Sequence, residues 1–153
     1  MRKYLFSIVL AIFSIVASGT AGAADKGTQE EAVAMVNKAV ALIKSKGRDA
    51  ALAEFNNPKG AFVDRDLYIF VIDKDGVTLA NGVNARLVGK NVMQLKDVDG
   101  TYFIKKFLEI GDTKGKGWGP EYKWSNSSTH AMETKQSYVE KVDNLYIGCG
   151  VYK

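Results

Sequence analysis

The protein has 153 residues, of which 46% are hydrophobic and 25% are charged, and its net charge is +4. This composition is typical of a globular domain and excludes a disordered chain. Acidic residues are interleaved with the basic ones, so the small positive charge gives no case for a nucleic-acid partner. A single cysteine, Cys149, excludes a disulfide framework, so packing must hold the fold together.

Residues 1–24 are predicted to be a secretory signal peptide. Two basic residues precede an apolar run at residues 5–17, and the A-x-A pattern at residues 21–23 suits signal peptidase. The alternative is an uncleaved membrane anchor, but a spanning helix needs about 20 apolar residues. Cleavage predicts a periplasmic protein with one domain, residues 25–153, and retention of the segment would tether that domain to the membrane.

A long amphipathic helix is predicted at the start of this domain. Thr28 and Glu31 have the spacing of a capping box, in which each side chain bonds the backbone N–H of the other residue. Apolar residues then recur at helical spacing until Gly47 marks a break. A shorter helical segment is predicted for residues 49–55, so the domain begins with a helical part that has one broad apolar face.

Strand patterns dominate after residue 60. Residues 67–72 are apolar on both faces, which predicts a strand that is covered on both sides. Residues 73–76 supply a turn, and residues 77–80 return as the hairpin partner. A helix closed by Gly111 and three more strands follow a long connection. The helix is predicted at residues 102–110, and the three strands are predicted at residues 119–124, 134–141 and 145–152.

This order of elements predicts an α+β fold with an antiparallel sheet of about five strands. The N-terminal helix is expected to pack on one face of the sheet. The long middle segment would close over the other face, and a ligand site would lie in the partly enclosed space beneath it. In the last strand, Cys149 shares a face with Leu145, Ile147 and Val151, which predicts a buried, inert thiol.

Few of the residues that catalysis needs are present. His130 is the only histidine, and it lies in a polar run with Ser127 and Ser128 that has no nucleophile-elbow motif, so we interpret it as a solvated loop residue. Two D-x-D-G stretches begin at Asp73 and Asp97. Neither has the glycine and glutamate spacing of an EF-hand loop, so both are interpreted as turns. We therefore predict no enzyme, no metal site and no cofactor.

Aromatic residues and one lysine form a more informative pattern. Tyr68 and Phe70 share one strand face, Tyr122 and Trp124 share another, and Lys135 projects from the next strand. Such a set suits a small organic anion, because the rings exclude water and the ammonium supplies a charge-assisted hydrogen bond. The alternative is an ordinary aromatic core with Lys135 at the surface, and spacing alone favours that alternative.

Short motifs run in order through nearly the whole mature chain. They are Tyr68-Ile69-Phe70-Val71-Ile72-Asp73 with Gly76, Gly89-Lys90-Asn91, Asp97-Val98-Asp99-Gly100, Tyr122-Lys123-Trp124, Lys135-Gln136-Ser137-Tyr138-Val139 and Ile147-Gly148-Cys149-Gly150-Val151-Tyr152. The ordered set resembles the single Cache domain of the second type. The resemblance implies a PAS-like antiparallel sheet behind a long N-terminal helix. It also implies an extracytoplasmic sensor of the kind found in chemoreceptors and sensor kinases, many of which bind small carboxylates.

By this resemblance, Tyr68, Tyr122, Trp124 and Lys135 become candidate ligand-binding residues. Arg86, in the loop after the hairpin, is a second possible partner for a carboxylate.

Two departures from the family pattern lie near the expected pocket rim. After the hairpin the family often has a His-Pro pair, where this chain has Leu79-Ala80-Asn81-Gly82. The proline that usually follows the Tyr-x-Trp motif is replaced by Ser125-Asn126. Both departures leave the identity of the ligand open.

The chain ends at Lys153, directly after the last predicted strand. We therefore expect a stand-alone periplasmic protein that binds a small organic acid and acts in signal transduction or chemotaxis through a partner, such as a membrane sensor kinase or chemoreceptor. The alternative is an interaction or structural subunit that binds no ligand because its own aromatic side chains fill the cavity.

Overall fold

The computed structural model describes residues 25–153, so the predicted signal peptide lies outside the described residues. In chain order the elements are α1 (Gln29–Lys46), α2 (Arg48–Phe55), β1 (Val63–Asp64), β2 (Leu67–Asp73), β3 (Thr78–Asn81), a 3-10 helix (Ala85–Leu87), α3 (Phe103–Lys114), β4 (Lys116–Ser125), β5 (Met132–Val142) and β6 (Leu145–Tyr152). Within this described part, no helix combines the length and the apolar character that crossing a bilayer requires.

Helix α1 begins at the predicted capping box. The Thr28 hydroxyl accepts a hydrogen bond from the Glu31 backbone N–H at 3.2 Å, and the Glu31 carboxylate accepts one from the Thr28 N–H at 2.8 Å. The helix ends at Gly47, whose φ of 83° is a conformation that glycine adopts at low cost. Val36 and Ala39 are fully buried on its inner face. The predicted N-terminal helix is therefore confirmed.

All strand pairings in the sheet are antiparallel. The strand order is β1, β2, β6, β5, β4, and β3 also pairs with β2. This arrangement confirms the predicted α+β fold class. The sheet has six strands, where about five were predicted, because the two-residue strand β1 also pairs with β2. Strands β2 and β6 are buried along almost their whole length, since layers cover both faces of the sheet.

Different parts of the chain cover the two faces of the sheet. Helices α1 and α2 cover one face, where they pack on Ile69, Ile147 and Cys149. Helix α3 and the segment before it cover the other face, where Phe70 and Tyr146 belong to the second apolar cluster. Because side chains alternate along a strand, β2 and β6 each contribute to both clusters.

The end of helix α3 differs from the prediction. The helix does not close at Gly111 but continues to Lys114 and ends at Gly115, whose φ is 76°. Gly111 lies against the ring of Tyr146, and a Cβ at position 111 would be 2.6 Å from that ring. The glycine therefore allows α3 to approach β6 closely. A contact between residues so far apart in the chain leaves no local signal in the sequence.

Cys149 is expected to be unreactive in the folded protein. Its side chain is fully buried, and burial raises the pKa of the thiol to about 12. Because the thiolate is the reactive species, the protonated thiol should resist modification at neutral pH. A thiol reagent should label Cys149 only after denaturant is added, whereas stoichiometric labelling of the native protein would contradict this burial.

Candidate functional site: an aromatic cavity beside a buried lysine

A small cavity lies between helix α3 and the face of the sheet that α3 covers. Its volume is about 40 Å³, and since one water needs about 10–15 Å³, it has room for about three water-sized groups. Six of its thirteen lining residues are aromatic. The aromatic lining residues are Tyr68, Phe70, Phe103, Phe107, Tyr122 and Trp124.

Stacking and hydrogen bonds fix the aromatic wall. The rings of Phe103 and Tyr122 stack with centroids 4.1 Å apart. The Trp124 indole N–H donates to the Tyr68 hydroxyl at 3.2 Å, and the hydroxyls of Tyr122 and Ser137 are 2.8 Å apart. Burial raises the pKa of Tyr122 well above its usual value, so its hydroxyl stays protonated. The wall can therefore offer hydrogen bonds without adding negative charge.

Lys135 is the buried cation of this site, and its side chain has no exposed surface. Its ammonium donates a hydrogen bond to the Tyr152 hydroxyl at 3.2 Å and lies 3.9 Å from the centroid of the Tyr68 ring. Among residues 25–153, no carboxylate oxygen lies within 4.0 Å of its nitrogen. A buried charge is costly unless it is paired. The chain has a buried carboxylate in Asp66, whose Oδ2 has no hydrogen-bond partner among the described residues, but it lies more than 4.0 Å from this ammonium, so an anion in closer contact would stabilise the charge further.

Strand β6 accommodates the Lys135 side chain because Gly150, which pairs with Ser137 and lies diagonally across from Lys135, has no side chain. A Cβ at Gly150 would overlap with Lys135 Cε and Ser137 Oγ. Gly148, two residues earlier on the same face, gives the same room to the ring of Phe70. The Gly-Cys-Gly sequence of β6 therefore leaves space for the lysine and the phenylalanine on the cavity face.

The chain between β3 and α3, residues 82–102, forms a cover over the cavity. Leu87, Val92 and Leu95 in this cover line the cavity. Backbone hydrogen bonds connect the cover to β3. The Thr78 N–H donates to the Lys90 carbonyl at 2.9 Å, and the Thr78 carbonyl also accepts a backbone hydrogen bond.

The side chain of Asp97 connects the other end of the cover to β4 by hydrogen bonds. Its carboxylate accepts hydrogen bonds from the backbone N–H groups of Lys123 at 2.7 Å, Thr101 at 2.7 Å and Asp99 at 3.0 Å. Burial raises the pKa of Asp97, but these N–H groups outweigh that effect and the net pKa is lowered. The D-x-D-G stretch is thus a turn, as predicted, and it holds the cover beside Tyr122.

Replacing Asp97 by asparagine should loosen the cover. The amide cannot accept from all three N–H groups, so we expect roughly fivefold faster amide hydrogen exchange in residues 87–95, the equivalent of about 1 kcal/mol. Because folding lowers the pKa of Asp97, its stabilising effect is present above the usual carboxyl pKa and is lost as the pH falls through the lowered value. Asp99→Asn is the matched control, since its exposed carboxylate accepts no hydrogen bond among the described residues. Equal exchange in both variants would contradict this role.

Three of the five predicted site residues line the cavity: Tyr68, Tyr122 and Trp124. Lys135 lies behind the Tyr68 ring and does not line the cavity itself. Arg86 is exposed in the 3-10 helix, where the next residue, Leu87, contacts the cavity instead. Whether these residues bind a ligand stays a prediction.

Sequence reasoning missed the polar lining residues Thr78 and Asn81. Asn81 lies in the Leu79-Ala80-Asn81-Gly82 stretch, where the family often has a His-Pro pair, and that departure was the available signal. Thr78 had none, because its orientation depends on an irregularity in the pairing of β2 with β3.

Comparison with known proteins identifies a class of sensor domains. The profile of the family described as Single Cache domain 2 matches residues 5–153. The chain belongs to this family, and the match begins inside the segment predicted to be a signal peptide. Proteins of this family are sensor domains and not enzymes.

A curated relative and two solved structures agree with this assignment. The chain is 33% identical over 90 residues to Sensor histidine kinase MctS of Rhizobium johnstonii, which covers 58% of this chain but only 19% of the kinase. A methyl-accepting chemotaxis protein from Vibrio parahaemolyticus has the same fold with a TM-score of 0.68 and 23% identity, covering 80% of this chain and 86% of that chain. A Cache chemosensory domain, whose structure is described as the basis for carboxylic acid recognition, has a TM-score of 0.62 and 22% identity. The match covers 80% of this chain and 86% of that chain.

The protein is therefore a Cache sensor domain related to the sensor domains of chemoreceptors and histidine kinases.

Proposed function

We propose that this domain binds a small organic carboxylate in the aromatic cavity. The observation that carries the proposal is the buried ammonium of Lys135, which contacts a hydroxyl and two aromatic rings but no carboxylate of the described chain. An anion beside the Tyr68 ring would compensate this charge in surroundings of low dielectric constant, where charge interactions are strong.

The size of the cavity limits the ligand to a few heavy atoms. Room for about three water-sized groups suits an acid of two or three carbons, with small movements of the wall. The carboxylic acid recognition described for one structural neighbour is consistent with this ligand class. Arg86, exposed on the cover, remains a second candidate for contact with the carboxylate as it enters.

The proposed setting is the periplasm, after export by the predicted signal peptide. The similarity to part of a sensor histidine kinase and to a chemotaxis protein supports a role in signal transduction or chemotaxis. In this proposal the domain acts through a partner, such as a membrane sensor kinase or chemoreceptor, and the ligand changes its affinity for that partner.

Thermal unfolding with a panel of acids tests the ligand class. Formate, acetate, propionate and butyrate should be compared with their neutral amides at equal concentrations. A bound acid at 100 times its Kd adds about 2.7 kcal/mol of stability, so Tm should rise with the acid and not with the amide. Native mass spectrometry of the protein from the periplasm would then identify a retained ligand. No stabilisation by any acid would refute the small-carboxylate proposal.

The second candidate function is an interaction subunit that binds no ligand. The close stacking of Phe103 on Tyr122, with centroids 4.1 Å apart, favours it because aromatic side chains occupy much of the space beneath α3. This candidate predicts no acid-dependent stabilisation and a reproducible protein partner in a pull-down with the tagged mature protein. A monomer without a partner would count against it.

A further inference from the structure

A buried carboxylate lies directly before β2, close to the candidate site. Asp66 is 2% exposed, and its Oδ2 is a buried side-chain oxygen without a hydrogen-bond partner among residues 25–153. Buried polar atoms almost always have partners, and an unpaired carboxylate oxygen in a protein interior is costly. Such a group in a folded domain therefore calls for an explanation.

The register of the sheet brings Asp66 towards the buried lysine. Lys135 in β5 pairs with Tyr152 in β6. Strand β2 pairs antiparallel with β6, with Ile69 opposite Cys149. The same register, continued to the turn before β2, brings Asp66 to the level of Tyr152. Asp66 and Lys135 thus lie at the same end of the sheet, with Tyr152 between their positions and their charged groups more than 4.0 Å apart.

The thiol of Cys149 is affected by both charges. Its pKa is raised mainly by burial, while the positive charge of Lys135 lowers this pKa and the negative charge of Asp66 raises it. Both charges therefore act in the same part of the core. Charge interactions are strong there, because water is excluded.

The Asp66 carboxylate also holds the chain just before α1. Its Oδ1 accepts a hydrogen bond from the Gly27 backbone N–H at 2.7 Å. Gly27 is buried against Leu67, since a Cβ at position 27 would be 2.2 Å from Leu67 Cγ. A hydrogen bond from an N–H group to a carboxylate is roughly twice as strong as one between neutral groups. Asp66 therefore connects the region of the candidate site with the start of α1.

Other contacts of this segment lie nearer the surface. Lys26 Nζ contacts Glu133 Oε2 at 2.8 Å and the Lys153 carbonyl at 3.0 Å, and the Arg65 guanidinium contacts Glu31 at 2.7 Å. These ion pairs are partly exposed, so water and salt screen them. Among these contacts, we expect a charge in the cavity to affect the buried bond from Gly27 to Asp66 most strongly.

We propose that Asp66 is a positioning residue that couples the binding of an anion in the cavity to the start of α1. The inference rests on the proposed function, in which Lys135 attracts the carboxylate of the ligand. The bound anion adds a second negative charge to a region that already holds the Asp66 carboxylate, and the two charges repel each other. This repulsion favours conformations in which the Asp66 side chain moves away from the core, and in these the Gly27 N–H loses its acceptor.

Replacing Asp66 by asparagine should strengthen acid binding, because coupling between two sites is reciprocal. The amide keeps an oxygen that can accept from the Gly27 N–H but carries no charge. Acetate and propionate should bind this variant about tenfold more tightly than the wild-type protein in titration calorimetry, since a like charge several ångströms away has been removed. Asp64→Asn is the matched control. Its carboxylate lies in the same hairpin but is 57% exposed and paired with Arg65, so the affinity should not change.

Hydrogen exchange of the wild-type protein gives a test with a definite sign. Ligand binding stabilises a folded domain, so saturating acetate or propionate should slow the exchange of backbone amides in β2 and β6. The Gly27 N–H should instead exchange roughly threefold faster, because its acceptor is displaced more often. Asp66→Asn should abolish this acceleration, and Asp64→Asn should retain it. A merely structural role for Asp66 predicts no change of opposite sign at Gly27.

The outcomes separate the two proposals. If the acids bind but the Gly27 N–H exchanges no faster, or if Asp66→Asn leaves the affinity unchanged, the coupling is overturned and the carboxylate proposal stands. If no acid binds at all, both are overturned. The exchange measurement on the wild-type protein needs no variant, so it remains decisive even if Asp66→Asn fails to fold.

Discussion

Replacing Lys135 by methionine should abolish acid binding while the domain stays folded. Methionine is similar in length, so it fills the space beneath the Tyr68 ring without the charge. Because Lys135 lies behind the Tyr68 ring, it acts on the carboxylate as a charge and not as a hydrogen-bond donor. Two opposite charges several ångströms apart at an effective dielectric constant of about 20 attract by about 2 kcal/mol, so we expect roughly a 30-fold loss of affinity in titration calorimetry. The Tyr152 hydroxyl would keep its hydrogen bond to the Ser125 carbonyl at 2.9 Å, so no new unpaired hydroxyl is created there.

The stability of the same variant separates ligand binding from a structural role. Removing a buried charge that has no carboxylate within 4.0 Å among the described residues should leave the stability unchanged or raise it, because the desolvation cost disappears. Lys123→Met is the matched control. Its ammonium donates to Thr134 Oγ1 on the same sheet but is only partly buried, so its loss should not affect binding. Unchanged affinity in Lys135→Met would remove Lys135 from the site.

Replacing Phe107 by alanine should cause the largest loss of stability. Phe107 is almost fully buried, and its ring contacts Phe70, Phe103 and Tyr122 with centroids 5.7 to 5.8 Å away. Truncation of a buried phenylalanine costs about 3–5 kcal/mol, which corresponds to a Tm lower by roughly 10 to 20 °C for a domain of this size. Thermal and urea unfolding would measure both quantities.

Phe55→Ala is the control for the Phe107 variant because it separates stability from the site. Phe55 is fully buried in the cluster beneath α1 and α2, on the other face of the sheet, so its truncation should cost a similar free energy. Only the Phe107 variant enlarges the cavity, and only it should bind butyrate relatively better than acetate. A loss below about 1 kcal/mol for Phe107→Ala would mean that α3 packs loosely on the sheet.

The order and type of the main elements could be predicted because local chemistry determines them. The capping box at Thr28 and Glu31 starts α1, and the doubly apolar strand pattern of residues 67–72 marks the strand that both layers cover. Alternation along β6 predicted the buried face of Cys149 correctly. These signals depend on residues that are close together in the chain, so they can be recognised in the amino-acid sequence alone.

The aromatic part of the candidate site was also predictable in outline. Spacing alone favoured an ordinary core, and the resemblance to the Cache family made Tyr68, Tyr122 and Trp124 candidates for the pocket, which all three line. The sequence left open whether Lys135 is buried or at the surface. Its burial depends on Gly150 in another strand and on the Tyr68 ring above it, and these are contacts between distant parts of the chain.

Only the tertiary structure decided the details that bear on ligand choice. An irregularity in the pairing of β3 with β2, held by hydrogen bonds from the Asn56 side chain, places Thr78 and Asn81 at the same cavity. Helix α3 continues past Gly111 because it packs closely on Tyr146 at that position. The sequence by itself determined the fold class, the faces of the central strands and a family of sensor domains. The volume and polarity of the cavity depend on how distant residues pack, since close packing is a property of the assembled core and not of any segment.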